Sequence, residues 1–418
     1  MENKLRIGII GLGTVGCGVV KVLSKMDDVE IICAAVKNTA KKREVELNCI
    51  TDNPFDIANN PNIDVVVEVA GGCAMLDVLK AAIQNKKHIV TANKELLARH
   101  GAELFDLARE HNRVILYEAA VAGGIPIILP IKTSLSANKF NSVAGILNGT
   151  TNYILTKMDE ENLSYEDCLL KAQQLGFAET DPTGDVEGFD AMYKIAILAN
   201  IVFGKRIDVN KIYKEGITKI SALDIRYANE LGYKIKLIAQ AKKIDNDALD
   251  IRVHPMLVSK ERPISEIKNA TNAVLLNGFP VDKVMFVGPG AGEFPTASSV
   301  VGDILCIKSE IEKCGEILPM TTCHHSEYAN QIDIEDTKNC YYLCIKAKNE
   351  PGEIGKIGFE CGRHAINLSC IIQKEAMDDG SATVIVITGE CLEKDINTMI
   401  SNLESDGITK VVNKIRVM

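Results

Sequence analysis

The chain has 418 residues, 46% of them hydrophobic and 25% charged, which is enough for two or three globular domains with sizeable cores. Its net charge of -9, with no basic stripe interleaved with aromatics, argues against nucleic acid as the main partner. Thirteen cysteines are scattered without a CxxC pair, and no cleavage pattern follows the apolar N-terminus, so they read as reduced thiols of a cytoplasmic protein. The most apolar run, 119–131, is too short to cross a bilayer and holds two prolines, so no membrane partner is expected.

In chain order, "LRIGII" (5–10) has the look of a buried strand. Gly11-Leu12-Gly13-Thr14-Val15-Gly16 follows and opens an apolar helix through Leu23. Gly11 suits a tight turn, Gly13 lets a pyrophosphate approach the backbone, and Gly16 allows close helix–strand packing. The N–H groups of Thr14 and Val15 at the helix N-terminus would face the phosphates. A second apolar run, Val29 to Val36, ends at Lys37, where an NAD-binding domain usually places an acid. Lys37, backed by Lys41, Lys42 and Arg43, suits a 2′-phosphate and favours NADP(H) over NAD(H); the competing reading is a solvated basic turn.

Alternation continues with a strand at 63–72, the helix "MLDVLKAAIQNKK", a strand entering a helix at 88–101, and a strand at 113–128. This order implies a doubly wound parallel sheet with its ligand outside the carboxyl ends of the strands. Gly71, Gly72, Asn93, Lys94 and Glu118 all fall at such ends.

After Ile131 a strand runs into "NGTTN" and a helix, and then comes a helix at 164–176 capped by Ser164 and Asp167. "ETDPTGDVEGFDAMYK" (179–194) holds five carboxylates and one lysine. Its first half reads as a loop and its second half as the start of a buried helix, 189–203. Asp190 and Lys194 share one helix face at i, i+4. That pair is either a helix-supporting ion pair worth roughly 0.3–0.5 kcal/mol or a desolvated lysine fit to move a proton.

Residues 316–337 are polar and irregular and read as a linker. Within it, Cys323-His324-His325 could ligate metal but has no second cluster at zinc spacing. From Tyr341 the order is strand, helix (with Pro351 in its first turn), strand, strand, helix, strand.

"GLGTVGCGV", "TANKELLA", "EAAVAGGIPII", "GILNGTTNYIL", "GFAETDPTGDVEGFDAMYK" and "GPGAGEFPTASSVVGD" together resemble homoserine dehydrogenase across 5–310. The resemblance implies reversible NAD(P)H-dependent reduction of L-aspartate 4-semialdehyde to L-homoserine, on the route to threonine, methionine and isoleucine. It makes Lys194 the proton donor and Lys94 a second lysine near nicotinamide and substrate. Glu179 would bind the substrate ammonium, with Asp185 and Asp190 in the same pocket. Gly292 would return to the cofactor. Glu118, with the carbonyls of Val121, Gly123 and Ile125, would hold a monovalent cation, sodium. The final unit resembles an ACT domain, with Asn349, Gly352, Asn367 and Gln373 as contacts for the implied effector, threonine. The alternative to a regulated enzyme is a catalytically silent amino-acid sensor of the same fold.

The expected architecture is therefore α/β. A Rossmann-type domain spans 1–130 plus 296–315, the last helix beginning near Thr296. An α+β catalytic and dimerisation domain spans 131–295, a linker 316–337, and a βαββαβ ACT domain 338–418. The assembly expected is a homodimer or homotetramer.

Overall fold

The computed structural model describes residues 4–314, 323, 325–376, 380–405, 407 and 409–418. The first part of the expected linker (316–322) and His324 lie outside the described residues. The chain forms two compact units, Met1–Gly149 with Asp190–Asn210 and Thr271–Ala329, and Thr150–Phe189 with Lys211–Ala270 and Asn330–Met418.

The first unit is built on a parallel sheet of β1 (Leu5–Ile10), β2 (Val29–Ala35), β3 (Ile50–Thr51), β4 (Val65–Glu68), β5 (His88–Thr91) and β6 (Ile115–Leu116). Its order is β3-β2-β1-β4-β5-β6, with every pair parallel. This is the doubly wound order, in which the crevice for a ligand opens where the winding reverses, between β1 and β4. The central strands are continuous apolar runs because helices cover both faces, and Val65, Val66 and Val67 are fully buried. Helix Thr14–Leu23 packs on helix Glu293–Cys314, joining Val19 and Leu23 to Ala297, Val300 and Ile304 in one core. Burial of a Val, Leu or Ile side chain there contributes about 1.5–3 kcal/mol. The approach is close enough that a Cβ at Gly18 would lie 2.8 Å from Glu293 Cγ.

The structure departs from two expectations in this unit. The strand expected over 113–128 stops at Leu116, where the chain turns into a short 3-10 helix, Glu118–Ala120, and helix Ile128–Lys132 follows. The expectation of reduced thiols fails at Cys33 and Cys49, which form a disulfide. The parallel register pairs Ala34 with Ile50, so the two preceding cysteines face each other with Cα atoms 4.6 Å apart. The same unit carries an antiparallel set of strands, Lys139–Ile146, Thr271–Phe279 and Asp282–Pro289, and the buried helix Phe189–Phe203. No helix among the described residues is long and apolar enough to cross a membrane.

The second unit is organised by a mixed sheet. Its strands run in the order Tyr233–Lys243, Leu249–Ser259, Lys410–Val417, Lys338–Lys348, Ser381–Thr388, Leu368–Ala376. Residues 338–418 have a main β-α-β-β-α-β order, with helices Glu353–Arg363 and Glu393–Glu404 and a core of Tyr341, Leu343, Ile357, Val386, Ile396 and Met399. The helix expected to hold Pro351 starts later, at Glu353, with Gly352 at its N-cap in a left-handed conformation (φ +103°). The loop expected at 179–185 contains a short helix, Thr183–Val186, because Asp181 Oδ1 accepts from the Thr183 N–H and turns the chain. The final strand is parallel to Leu249–Ser259 at Met256/Arg416, so residues 338–418 share a sheet with strands from 233–259.

Arg416 marks that junction. It is 1% exposed and bonds Glu393 twice, Nη2 to Oε1 at 2.6 Å and Nε to Oε2 at 2.9 Å, while Nη1 reaches Glu215 at 3.1 Å. Burial pushes the Glu393 carboxyl up, but Arg416 and Lys414 outweigh it and hold it below the ordinary glutamate value. Arg416→Ala leaves Glu393 buried without its main partner and should destabilise the fold by about 3–5 kcal/mol. A lowered carboxyl pKa stabilises fully above the unfolded value of about 4.3 and loses that contribution as pH falls through the folded value. Urea midpoints should therefore differ most near neutrality and converge on acidification.

Candidate active site

The site starts from a lysine that a buried helix should not tolerate alone. Lys194, on helix Phe189–Phe203, is 8% exposed. Its Nζ lies 2.7 Å from Asp190 Oδ2, one helical turn earlier, and 2.8 Å from the Leu147 carbonyl. Asp190 Oδ2 also accepts from Asn148 Nδ2 at 2.9 Å, and Asp190 Oδ1 lies 3.1 Å from Lys94 Nζ. Burial alone would push the Asp190 carboxyl up. The two ammonium charges, with hydrogen bonds from Lys194 and Asn148, outweigh it and hold the group well below the usual carboxylate range. The result is a buried carboxylate between two lysines, with Lys194 mostly covered and Lys94 42% exposed at its side chain.

Lys94 is delivered by the end of β5. Helix Lys94–Glu110 is capped by Asn93, whose Oδ1 accepts from the Leu96 N–H and whose Nδ2 donates to the Gly72 carbonyl. Glu68, at the end of β4, accepts from the Thr91 hydroxyl at 2.7 Å and from the N–H groups of Ala70 and Gly71. Burial pushes the Glu68 carboxyl up, against these hydrogen bonds. The network ties the Gly71–Gly72 turn to the residue before Lys94.

The glycine turn after β1 has the shape a dinucleotide requires. Gly11 adopts φ +102°, and a Cβ there would meet Ala70 N at 2.8 Å. A Cβ at Gly16 would lie 2.1 Å from the Gly11 carbonyl oxygen, whereas at Gly13 it would meet no atom within 4 Å. Gly11 and Gly16 are thus fixed by packing, and Gly13 leaves room for a ligand beside Thr14 and Val15 at the helix start. Lys37 is exposed just beyond β2. Gly292, with φ +120°, immediately precedes helix Glu293–Cys314.

Glu118 is buried in the same unit. Its Oε1 accepts from the N–H groups of Ile127 and Ile128 at 2.5 and 2.7 Å, and Oε2 from Leu129 at 2.7 Å, so it caps helix Ile128–Lys132. Its own N–H donates to Asp303 Oδ2 at 2.8 Å; burial lifts the Asp303 carboxyl to about 8. Val121 and Ile125 are buried in the adjoining turn, and the Gly123 carbonyl accepts from the Ser299 hydroxyl at 2.7 Å. Both Glu118 carboxylate oxygens are thus engaged by backbone N–H groups, and the Gly123 carbonyl by a hydroxyl.

Glu179 is exposed and Asp185 half-buried, and both belong to the second unit. Cys323 contacts Tyr117 Oη at 2.8 Å and Lys132 Nζ at 3.2 Å. Among the described residues no group of three or more His, Cys, Asp or Glu could hold a metal. Gln373 Nε2 donates to Asn349 Oδ1 at 3.1 Å near Gly380, while Asn367 accepts from Gly389 through its carbonyl. Sequence reasoning missed Asn148, Asn272, Glu68 and the Leu147 carbonyl. The "LNGTTN" stretch was the only signal for the first and last of these, and it singled out neither.

The family described as homoserine dehydrogenase matches residues 126–305, and the homoserine dehydrogenase NAD binding domain matches 11–118. The homoserine dehydrogenase of Synechocystis sp. is 40% identical over 99% of this chain and 99% of its own length. That of Bacillus subtilis is 38% identical over 96% and 95%. A crystal structure of a homoserine dehydrogenase from Thiobacillus denitrificans matches with a TM-score of 0.94 at 36% identity, covering 100% of this chain and 99% of its own. A hyperthermophilic archaeal homoserine dehydrogenase in complex with NADPH matches with a TM-score of 0.64 at 26% identity, covering 73% and 98%. With its nucleotide-binding fold, its paired lysines and relatives along its full length, the chain belongs to the homoserine dehydrogenase family of oxidoreductases.

Proposed function

We propose that the chain reduces L-aspartate 4-semialdehyde to L-homoserine, reversibly, with Lys194 as proton donor. The observation that carries this reading is the Lys94–Asp190–Lys194 arrangement, in which a buried carboxylate holds two ammonium groups within 3.1 Å. The nicotinamide, when bound, supplies the hydride that the aldehyde carbon receives. Lys194 stabilises the negative charge that grows on the aldehyde oxygen and passes it a proton, so that C=O becomes CH–OH. Lys94 adds positive charge on the exposed side of Asp190 and orients the substrate carboxylate or carbonyl. Glu179 and Asp185 provide the charge that a substrate ammonium needs.

Gly11, Gly13, Thr14, Val15, Gly16 and Gly292 hold the dinucleotide, and the exposed Lys37 favours NADP(H). The NADPH bound to the archaeal relative is consistent with that preference. Glu118 with the carbonyls of Val121, Gly123 and Ile125 would hold sodium, whose charge would steady the turn between β6 and helix Ile128–Lys132. In this reading the domains remain those proposed from the sequence, with an ACT module over 338–418, although compact packing groups the chain into two units with other bounds. Threonine is its effector, bound near Asn349, Gly352, Asn367 and Gln373, in a homodimer or homotetramer. The βαββαβ order and the Asn349–Gln373 contact support that reading.

Turnover of aspartate semialdehyde, followed by nicotinamide absorbance, should fall about 100-fold or more in Lys194→Ala; near-normal turnover would remove Lys194 from the mechanism. Lys37→Glu should raise KM for NADPH several-fold while leaving KM for NADH little changed, and equal effects on both would refute the 2′-phosphate role. Threonine should inhibit the full chain and lose potency against Asn349→Ala and Gln373→Ala. Substitution is preferable to truncation, because strand Lys410–Val417 pairs with Leu249–Ser259.

A further inference from the structure

Two acceptors hold the Lys194 ammonium, Asp190 Oδ2 and the Leu147 carbonyl. An ammonium has three N–H groups, so these two bonds fix where the remaining one points. The aim of the proton is therefore only as exact as the placement of the Leu147 carbonyl. That carbonyl lies in the short link between strand Lys139–Ile146 and helix Gly149–Glu161. The next residue, Asn148, holds the other acceptor, Asp190.

Asn272 secures the link. It is fully buried near the start of strand Thr271–Phe279, and its Nδ2 donates to the Leu147 carbonyl at 3.0 Å. The carbonyl thus receives Lys194 and Asn272 together. The pairing register sets Ala273 opposite Ile146 and Asn272 opposite Gly288. On the side of the glycine turn, a Cβ at Gly290 would lie 2.1 Å from Asn272 Cγ, so only glycine fits against this amide. Gly290 in turn abuts Gly123, whose Cβ would lie 2.5 Å from the Gly290 carbonyl oxygen. Asn272 Oδ1 is buried with no hydrogen-bond partner among the described residues.

We infer that Asn272 is the positioning residue of the proton donor: packed against Gly290, it holds the Leu147 carbonyl and so aims Lys194 at the reacting oxygen. The inference rests on the reading of Lys194 as donor, and it extends that reading to a residue 78 positions further along the chain.

The test compares Asn272→Ala, Asn272→Asp and Lys194→Ala with the unaltered protein, using aspartate semialdehyde and NADPH. Asn272→Asp keeps the shape and removes the donor. Both Asn272 variants should keep a native far-UV spectrum and lose about 10- to 100-fold in kcat, the range that misplacement of a reacting group produces. KM for the semialdehyde should change little. The solvent deuterium isotope effect on kcat should rise, because proton transfer from a misaimed donor becomes rate-limiting. Unchanged kcat and isotope effect in the folded variants would overturn the inference. So would failure of both variants to fold, since Asn272 would then be a structural residue. Normal turnover in Lys194→Ala would instead sink the donor reading beneath it, and the two failures are told apart by that one variant.

Discussion

The site depends on one buried carboxylate. Asp190 holds two ammonium groups, the buried Lys194 at 2.7 Å and the partly exposed Lys94 at 3.1 Å. A charge in such a position is costly unless it is paired and hydrogen-bonded. Asp190 meets both conditions through Lys194, Lys94 and Asn148, and this is why it stays ionised although buried. The triad then carries one net positive charge. That charge is fixed before any substrate arrives, which is the form of electrostatic preorganisation that favours a developing alkoxide.

The rest of the first unit holds this arrangement still. Helix Phe189–Phe203 sets the spacing of Asp190 and Lys194 through its own period. The link at Leu147 and Asn148 grips each of them with a separate group. The Glu68–Thr91–Asn93 network joins the ends of β4 and β5 and so fixes where Lys94 begins its helix. In the second unit, residues 338–418 share a sheet with strands 233–259 through Lys410–Val417, and the buried Arg416–Glu393–Glu215 ion pairs lock that junction. A ligand that shifted this module would act on the strands beside it without needing a separate linker to carry the change.

What the sequence made legible was local. The three glycines after β1 could be read because each answers a short-range demand, a turn, a ligand approach or a close packing contact. The Asp190–Lys194 pair could be read because helical period places i and i+4 on one face. The supporting asparagines could not be read, since Asn148 finds its partner 42 residues away and Asn272 finds its own 125 away, in one case at a backbone carbonyl. The strand expected over 113–128 failed for a related reason. Glu118 supplies, from nine to eleven residues upstream, the acceptors that start a helix where apolar composition suggested continued pairing. The Cys33–Cys49 disulfide was hidden because its 16-residue separation becomes a contact only through the β2–β3 register.

The central claim is that Asp190 serves catalysis by holding Lys194, and a double-mutant cycle tests it most directly. Single-turnover rates of semialdehyde reduction would be measured for Asp190→Asn, Lys194→Ala and the double variant. If the carboxylate acts through the lysine, the double variant will be no slower than Lys194→Ala, so the two losses will be strongly non-additive. If the losses simply multiply, Asp190 and Lys194 act independently, and the carboxylate does not serve catalysis by holding the lysine.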